Sequence, residues 1–112
     1  MANFLKKEAA NTNVNISMAA ISASSAVANG MQKDFAGGVK ILLNSILLKY
    51  KEKRPMMLDE INKFVDSAIK CSNLEELREE YIPLITNVAP GVKNGTLKFV
   101  EKAAVVSYID IL

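Results

Sequence analysis

The sequence contains no histidine and no tryptophan, and its 112 residues include a single cysteine, Cys71. Without histidine, the Ser-His-Asp and Cys-His nucleophile systems, imidazole proton shuttles and the common Cys/His zinc sites are excluded. One cysteine cannot form a disulfide within the chain, which favours a reducing compartment. We therefore predict a cytoplasmic protein that is not an enzyme, with no catalytic residues, no cofactor and no metal site.

Long apolar runs are also missing. The best candidate, "VKILLNSILL" at 39 to 48, is interrupted by Lys40 and Asn44 and falls short of the ~20 residues that span a bilayer. The segment "ISMAAISASSAVA" at 16 to 28 follows two lysines and ends in small residues, but four serines dilute it and Glu8 lies in its basic region. We expect neither a transmembrane segment nor a cleaved leader.

The composition predicts one folded domain, 1–112. Half of the residues are hydrophobic and 23% are charged, which is typical of globular proteins, and a chain of this length suits one core. Apolar residues recur at intervals of three and four almost throughout. The expected fold class is all-α, a single compact four- or five-helix bundle.

The first two helices are expected at 12–29 and at 34–53. Thr12 or Asn13 would cap the first and Asn29-Gly30 would end it. Its many Ala and Ser residues allow a close approach, either by another helix of the bundle or by another subunit. Asp34 would cap the second helix, whose apolar stripe is the strongest in the chain and consists of Phe35, Val39, Leu42, Leu43, Ile46, Leu47 and Tyr50. Gly37-Gly38 favours close packing or a kink over a phosphate site, since no phosphate-loop motif surrounds it.

A third helix is expected from Met57 or Leu58 to Lys70, because Pro55 forces Arg54 into an extended conformation. Ser72 to Glu75 reads as a capping box that opens a fourth helix, which Pro83 must kink or end near Glu80. Its expected inward residues are Leu74, Leu77, Tyr81, Leu84 or Ile85, and Val88.

Turns are expected at Pro90-Gly91 and at 93–96, with a possible cap at Thr96. The segment 97–112 then fits a helix packed through Leu97, Val100, Ala104, Tyr108 and Ile111, with a second apolar stripe beside it. A run of β-branched residues near its end leaves a strand as the alternative. So wide an apolar surface predicts either a central position in the bundle or a partner.

Charge is unevenly distributed. Residues 1–55 carry eight basic and three acidic side chains, whereas residues 56–112 carry six basic and nine acidic ones. The extremes are the basic stretch 49–54 and the acidic stretch 75–80, "EELREE". Opposite blocks of this kind could face each other within the molecule or pair head to tail between copies, and they orient partners more than they stabilise a fold.

These features favour a non-enzymatic protein-interaction module: a small helical subunit, adaptor or inhibitor that buries surface against a protein partner or its own copies as a homo-oligomer. The alternative is a low-specificity nucleic-acid backbone binder within a larger ribonucleoprotein complex. For the basic stretch itself, a solvated helix end is favoured over a binding site, and Met56-Met57 are favoured as core residues over contacts for a partner. The candidate interaction residues are Lys49, Lys51, Lys53, Arg54, Met56, Met57, Tyr108, Ile111 and Leu112.

Overall fold

The computed structural model describes residues 2–87 and 89–111, without the side chains of Ser107, Asp110 and Ile111. Within these ranges the chain is almost entirely helical and contains no strand, so the predicted all-α bundle is confirmed. The helices are α1 (Ala2–Ala9), α2 (Val14–Met31), α3 (Ala36–Leu47), α4 (Pro55–Cys71), α5 (Leu74–Ile85) and α6 (Pro90–Ile111), with 3₁₀ turns at Gln32–Phe35 and Leu48–Lys51. The short helix α1 was not expected from the sequence.

The helices form two layers. Helix α2 lies beside α4 in one layer, and α3 lies beside α5 in the other. At one end α1 packs against both α2 and α3, and at the opposite end α6 packs against α5 and the turn Leu48–Lys51. Each helix therefore contacts mainly its neighbours along the stack, as in repeat proteins built from stacked helix pairs.

Small residues allow α2 and α4 to pack closely. Ala20, Ser24 and Ala28 are buried on α2, and two polar contacts join the helices. Ser67 Oγ donates to Asn29 Oδ1 at 2.9 Å, and Cys71 Sγ donates to the Ala28 carbonyl at 3.4 Å. The interpretation of α2 as a thin helix inside its own bundle is supported by this packing.

The predicted end of α2 at Asn29-Gly30 is wrong. The helix continues through Gly30 to Met31, and the left-handed backbone conformation falls on Gln32, with φ of 50°. Its predicted start is confirmed, because the Asn13 side chain accepts from the amides of Asn15 and Ile16.

The predicted stripe of α3 is the centre of the core. Val39, Leu42, Leu43, Ile46 and Leu47 have no exposed surface, Phe35 is buried, and Tyr50 is half-buried. Asp34 does not cap the helix, since it lies inside the 3₁₀ turn and makes no capping bond. Gly38 packs on the Phe35 ring so closely that a Cβ atom would collide with it, which supports the close-packing interpretation of this glycine.

Helix α4 begins two residues earlier than expected, at Pro55, because proline is well suited to the first helical position. Arg54 is extended, as predicted. The capping box is displaced by one residue: Asn73 is the cap and accepts from the Glu76 amide at 3.0 Å, while Ser72 Oγ donates to the Glu76 carboxylate at 2.8 Å.

Helix α5 passes through Pro83 and ends at Ile85, so the predicted end near Glu80 is wrong. Pro83 cannot donate to the Glu79 carbonyl. The next carbonyl, of Glu80, accepts from Asn44 Nδ2 on α3 at 3.2 Å, which ties the disturbed turn to the neighbouring helix. Leu77, Tyr81 and Leu84 are buried as predicted, and Val88 lies outside the described residues.

The predicted turns at Pro90-Gly91 and 93–96 are wrong, because both segments belong to α6. Pro90 opens the helix, where its missing N–H costs nothing. Gly91 and Gly95 look like turn residues in the sequence, but their role is close packing. A Cβ at Gly91 would lie 2.6 Å from the Tyr50 carbonyl oxygen, and one at Gly95 would collide with the Tyr50 ring.

Most of the expected inward stripe of α6 faces outward: Leu97, Ala104 and Tyr108 are exposed, whereas Val100 is half-buried against the core. The buried residues are Val92, Thr96, Phe99 and Ala103, whereas Leu97, Val105 and Tyr108 are 42%, 53% and 63% exposed. The reason is that the two glycines fix the inward face of the first turns, and the remaining turns follow at helical spacing. The strand alternative for this segment is also wrong.

We predict that Gly95→Ala lowers the free energy of unfolding by about 1–3 kcal/mol, because the new methyl group overpacks the Tyr50 ring. Gly37→Ala is the matched control: its Cβ meets nothing within 4 Å, so it should be neutral or stabilise the helix by up to about 1 kcal/mol. Urea denaturation measures both. Equal effects of the two substitutions would contradict the packing role of Gly95.

Candidate functional site

The connections between helices gather on two opposite edges of the stack. We call the first the groove edge; it contains the turn Gln32–Phe35 and the α4–α5 connection at Ser72 and Asn73. The second, the basic edge, contains the α1–α2, α3–α4 and α5–α6 connections. Successive helices are joined by short connections that alternate between the two edges. Each edge therefore collects loops from distant parts of the sequence.

The basic edge presents the stretch 49–54. Lys51, Lys53 and Arg54 are exposed, but Lys49 is not free, since its ammonium donates to the Asn11 carbonyl at 3.0 Å. Lys49 thus ties the α3–α4 connection to the α1–α2 connection. Whether the stretch binds a partner stays a prediction.

The two adjacent methionines have different environments. Met56 is 68% exposed beside Arg54, and it stays a candidate for contact with a partner. Met57 is fully buried, so its side chain belongs to the core and leaves the set of candidate surface residues. The difference follows from helical geometry, because consecutive residues point about 100° apart.

Tyr50 anchors the basic edge to the body of the protein. Its hydroxyl donates to Asn62 Oδ1 on α4 at 2.7 Å, its ring lies on Gly95 of α6, and its carbonyl group lies against Gly91. Burial, together with the nearby negative charge of Asp66, raises the pKa of Tyr50 to about 12. Asp66 itself forms an ion pair with Lys102, which joins α4 directly to α6.

The sequence leaves two arrangements of the charge blocks open, one within the molecule and one between copies. Among the side chains that the structure describes, no ion pair joins stretch 49–54 to stretch 75–80. The acidic stretch lies on α5, and Glu75, Glu76, Arg78 and Glu79 are exposed. Its charges are therefore available to another molecule.

The groove edge carries an open groove with a volume of about 610 Å³. It lies where the turn before α3, the end of α4, the start of α5 and the second half of α6 meet. The lining residues are Lys33, Ala36, Ile69, Lys70, Cys71, Ser72, Asn73, Glu76, Ala103 and Val106. Lys33 and Lys70 are both exposed at it, so two cations from separate helices share one concave surface.

A strained backbone marks the same edge. Gln32 has φ of 50° and ψ of −123°, and it is the one residue other than glycine with positive φ in the described chain. Such a conformation costs of order 1–3 kcal/mol and is concentrated at functional sites. Met31, beside it, is 43% exposed, although methionine is usually buried.

Sequence reasoning missed the groove edge. Glycine is the usual residue with a left-handed conformation at a helix end, so the sequence predicted this conformation at Gly30 and not at Gln32. Lys33 and Lys70 are 37 positions apart and carry no motif, so only the fold brings them to one groove. The sole local signal was the polar run "NGMQKD" between two apolar helices.

The predicted C-terminal contact residues are described in part. Tyr108 is 63% exposed on the outward stripe of α6. The Ile111 side chain and Leu112 lie outside what the structure describes. Their predicted role in binding stays a prediction.

The cysteine is not suited to chemistry. Cys71 is buried, and burial raises the pKa of its thiol, which reduces the thiolate fraction available for reaction. Among residues 2–87 and 89–111, no three potential ligands are grouped in a way that could hold a metal ion. In the same part of the chain, no helix is long and apolar enough to cross a bilayer.

Comparison with known proteins gives several partial matches. The chain is 31% identical over 98 residues to Protein MOR1 of Oryza sativa subsp. japonica, a match that covers 86% of this chain and 5% of that protein. It is 29% identical over 77 residues to Protein mini spindles of Drosophila melanogaster, covering 69% of this chain and 4% of that protein. Centrosomal protein 224 of Dictyostelium discoideum is 29% identical over 97 residues, again 86% of this chain and 5% of the relative.

Each match therefore covers most of this chain but only a short part of the relative. No family model matches the chain. No solved structure matches it significantly.

The position of Tyr50 predicts a change in stability at alkaline pH. A tyrosine in the unfolded chain ionises near pH 10, whereas Tyr50 in the folded protein keeps its proton until about pH 12. Between these pH values the unfolded state therefore binds fewer protons than the folded state. The contribution of Tyr50 to the free energy of unfolding is complete below pH 10 and should be lost as the pH rises to about 12.

Tyr50→Phe removes this dependence. The difference in free energy of unfolding between the original protein and the variant, measured with urea, should shrink across that pH range. A difference that stays constant would show that the folded state does not hold the phenol in its neutral form.

Proposed function

We propose that this chain is a non-enzymatic, protein-binding helical module that attaches to microtubules. The observation that carries the proposal is the similarity of most of the chain to proteins of the microtubule-associated MOR1 type. The structure supplies what such a module needs, which is a rigid two-layer helix stack that holds exposed loops in fixed positions. The proposed location is the cytoplasm, where the cytoskeletal partner is found.

The groove edge is the proposed contact surface. It combines a concave shape, two exposed lysines and a strained turn, and these three features do not occur together on the basic edge. An acidic partner surface would pair with Lys33 and Lys70, while exposed Met31 would cover apolar atoms of the partner.

Under this proposal, the strained turn at Gln32 would favour binding. A partner that contacts the turn receives a loop already held in one conformation, so less entropy is lost on binding. The turn is fixed from both sides, because Phe35 is buried against Gly38 and the Gln32 amide donates to the Ala28 carbonyl.

The basic edge provides a direct comparison. Lys51 and Lys53 are exposed, like Lys33 and Lys70, and they belong to the surface that the sequence predicted to bind. The nucleic-acid alternative relied on the same stretch, but Lys49 is engaged in the fold and Tyr50 is packed, which leaves no exposed aromatic ring beside these cations for base stacking.

Two double variants test the proposal by co-sedimentation with microtubules. Lys33→Glu with Lys70→Glu should weaken binding at least about tenfold, equivalent to about 1.4 kcal/mol. Lys51→Glu with Lys53→Glu makes the same change in net charge on the opposite edge and should weaken binding less than about threefold.

If the Lys51 and Lys53 variant loses more binding than the Lys33 and Lys70 variant, the contact lies on the basic edge and not on the groove edge. If the unaltered protein does not sediment with microtubules even at low salt, the proposed function is wrong. Nuclease-treated samples and a parallel titration with mixed-sequence RNA identify binding that depends on nucleic acid.

A further inference from the structure

The two ends of the helix stack both carry exposed apolar surfaces. At the α1 end, a groove of about 330 Å³ is lined by Phe4, Leu5, Glu8, Ile16, Ala19, Ala20 and Ala23. At the α6 end, the outward stripe consists of Leu97, Ala104, Val105 and Tyr108, with Glu101 among them. One surface is concave and lined partly by alanine, and the other is a convex helix with larger side chains.

The exposure of these side chains is unusual. Phe4 is 65% exposed and Ile16 is 42% exposed at one end, while Val105 and Tyr108 are more than half exposed at the other. The turns of α6 from Ala103 to Ile109 carry no charged side chain. A helix that is apolar on all sides is normally covered.

We propose that a second copy of this chain covers these surfaces, with the α6 end of one molecule seated on the α1 end of the next. The stacking of α2 beside α4 and of α3 beside α5 would then continue across the boundary between copies. In repeat-like stacks each layer contacts only its neighbours, so an end without a polar outer face accepts a further layer.

Charge favours the head-to-tail arrangement over a symmetric one. Helix α1 presents exposed Lys6 and Lys7, whereas α5, beside α6 at the other end, presents exposed Glu75 and Glu79. Continuing the layers brings α5 of one copy towards α1 of the next, so Glu75 and Glu79 approach Lys6 and Lys7, while the contact itself contains Glu8 and Glu101. A symmetric contact between two α6 ends would instead bring two acidic stretches together, which disfavours association.

The contact is expected to be small. It joins one helix face to one shallow groove, so it belongs with interfaces below the roughly 800 Å² per partner of a standard one, where weak complexes are common. We therefore expect a weak association, with a dissociation constant on the order of 10–100 µM that rises with salt. Because the two faces differ, the contact is not self-limiting, and chains longer than two copies form at higher concentration.

The inference rests on the two ends of the stack and on none of the loops, so it does not depend on the proposed function; Ala103 and Val106 of α6 line the groove edge as well. If microtubule binding also holds, stacked copies place successive groove edges in a row, which strengthens attachment through multivalency.

Sedimentation velocity of the whole chain between about 10 and 500 µM tests the inference, since this range brackets the expected dissociation constant. The unaltered protein should grow in mass beyond a dimer. Phe4→Glu disables only the groove, and Val105→Glu disables only the stripe. Each should weaken self-association at least about tenfold, because an unpaired carboxylate would be buried at the contact.

Mixing the two variants provides the decisive arm. Phe4→Glu keeps an intact stripe and Val105→Glu keeps an intact groove, so the mixture should form one-to-one heterodimers that grow no further. Gly37→Glu is the matched control, since Gly37 is exposed on α3, a helix that packs between α1 and α5, and a side chain added there meets nothing within 4 Å, so association should be unchanged.

Three results would overturn the inference: a monomer throughout the concentration range, variants that associate like the unaltered protein, or a mixture that behaves as its separate components. In a symmetric α6 contact, Phe4→Glu would associate normally, which also contradicts it. Circular dichroism melts establish that each variant is folded before its mass is interpreted.

Discussion

The fit of Tyr50 against α6 is the contact on which the arrangement of the molecule most depends. Two glycines one helical turn apart, Gly91 and Gly95, leave room for its carbonyl group and its ring, and its hydroxyl reaches Asn62 on α4. One side chain therefore joins the α3–α4 connection to two helices. Because the rotation of α6 about its axis follows from this contact, so does the outward direction of its apolar stripe.

That rotation explains where sequence analysis succeeded and where it failed. The periodicity of α3 identified its buried face correctly. This helix has a single strong apolar stripe, so only one rotation about its axis buries that stripe in the core. Two apolar stripes compete on α6, and the sequence gives no measure of which one meets the bundle. The glycines determine which stripe faces the bundle. In the sequence, however, Pro90, Gly91 and Gly95 indicate turns, because glycine is used both in turns and where helices pack closely.

The candidate site shows a similar division. The exposed cations Lys51, Lys53 and Arg54 were found from their order in the chain, and the structure leaves them at the surface. Lys49 was in the same run, but its bond to Asn11 depends on a fold that brings residues 38 apart together. The groove edge was missed for the same reason, because its lysines come from separate helices and its strained residue is a glutamine.

The chemical inventory and the architecture are both compatible with the proposed binding role. A chain without histidine and with a buried, poorly ionised thiol has few groups for covalent chemistry, while a stack of helices with loops on two edges suits binding. Similarity to large proteins such as mini spindles and centrosomal protein 224 adds the proposed class of partner. The edges and the ends of the stack then have separate proposed roles, in partner binding and in association between copies.

Hydrogen exchange of the backbone amides, followed with and without microtubules, tests the central claim most directly because it needs no substitution. We expect slower exchange in two segments that are distant in sequence and joined at the groove edge, 31–36 and 69–76, with little change at 49–56. Protection at 49–56 alone, or no protection in any segment, would contradict the account.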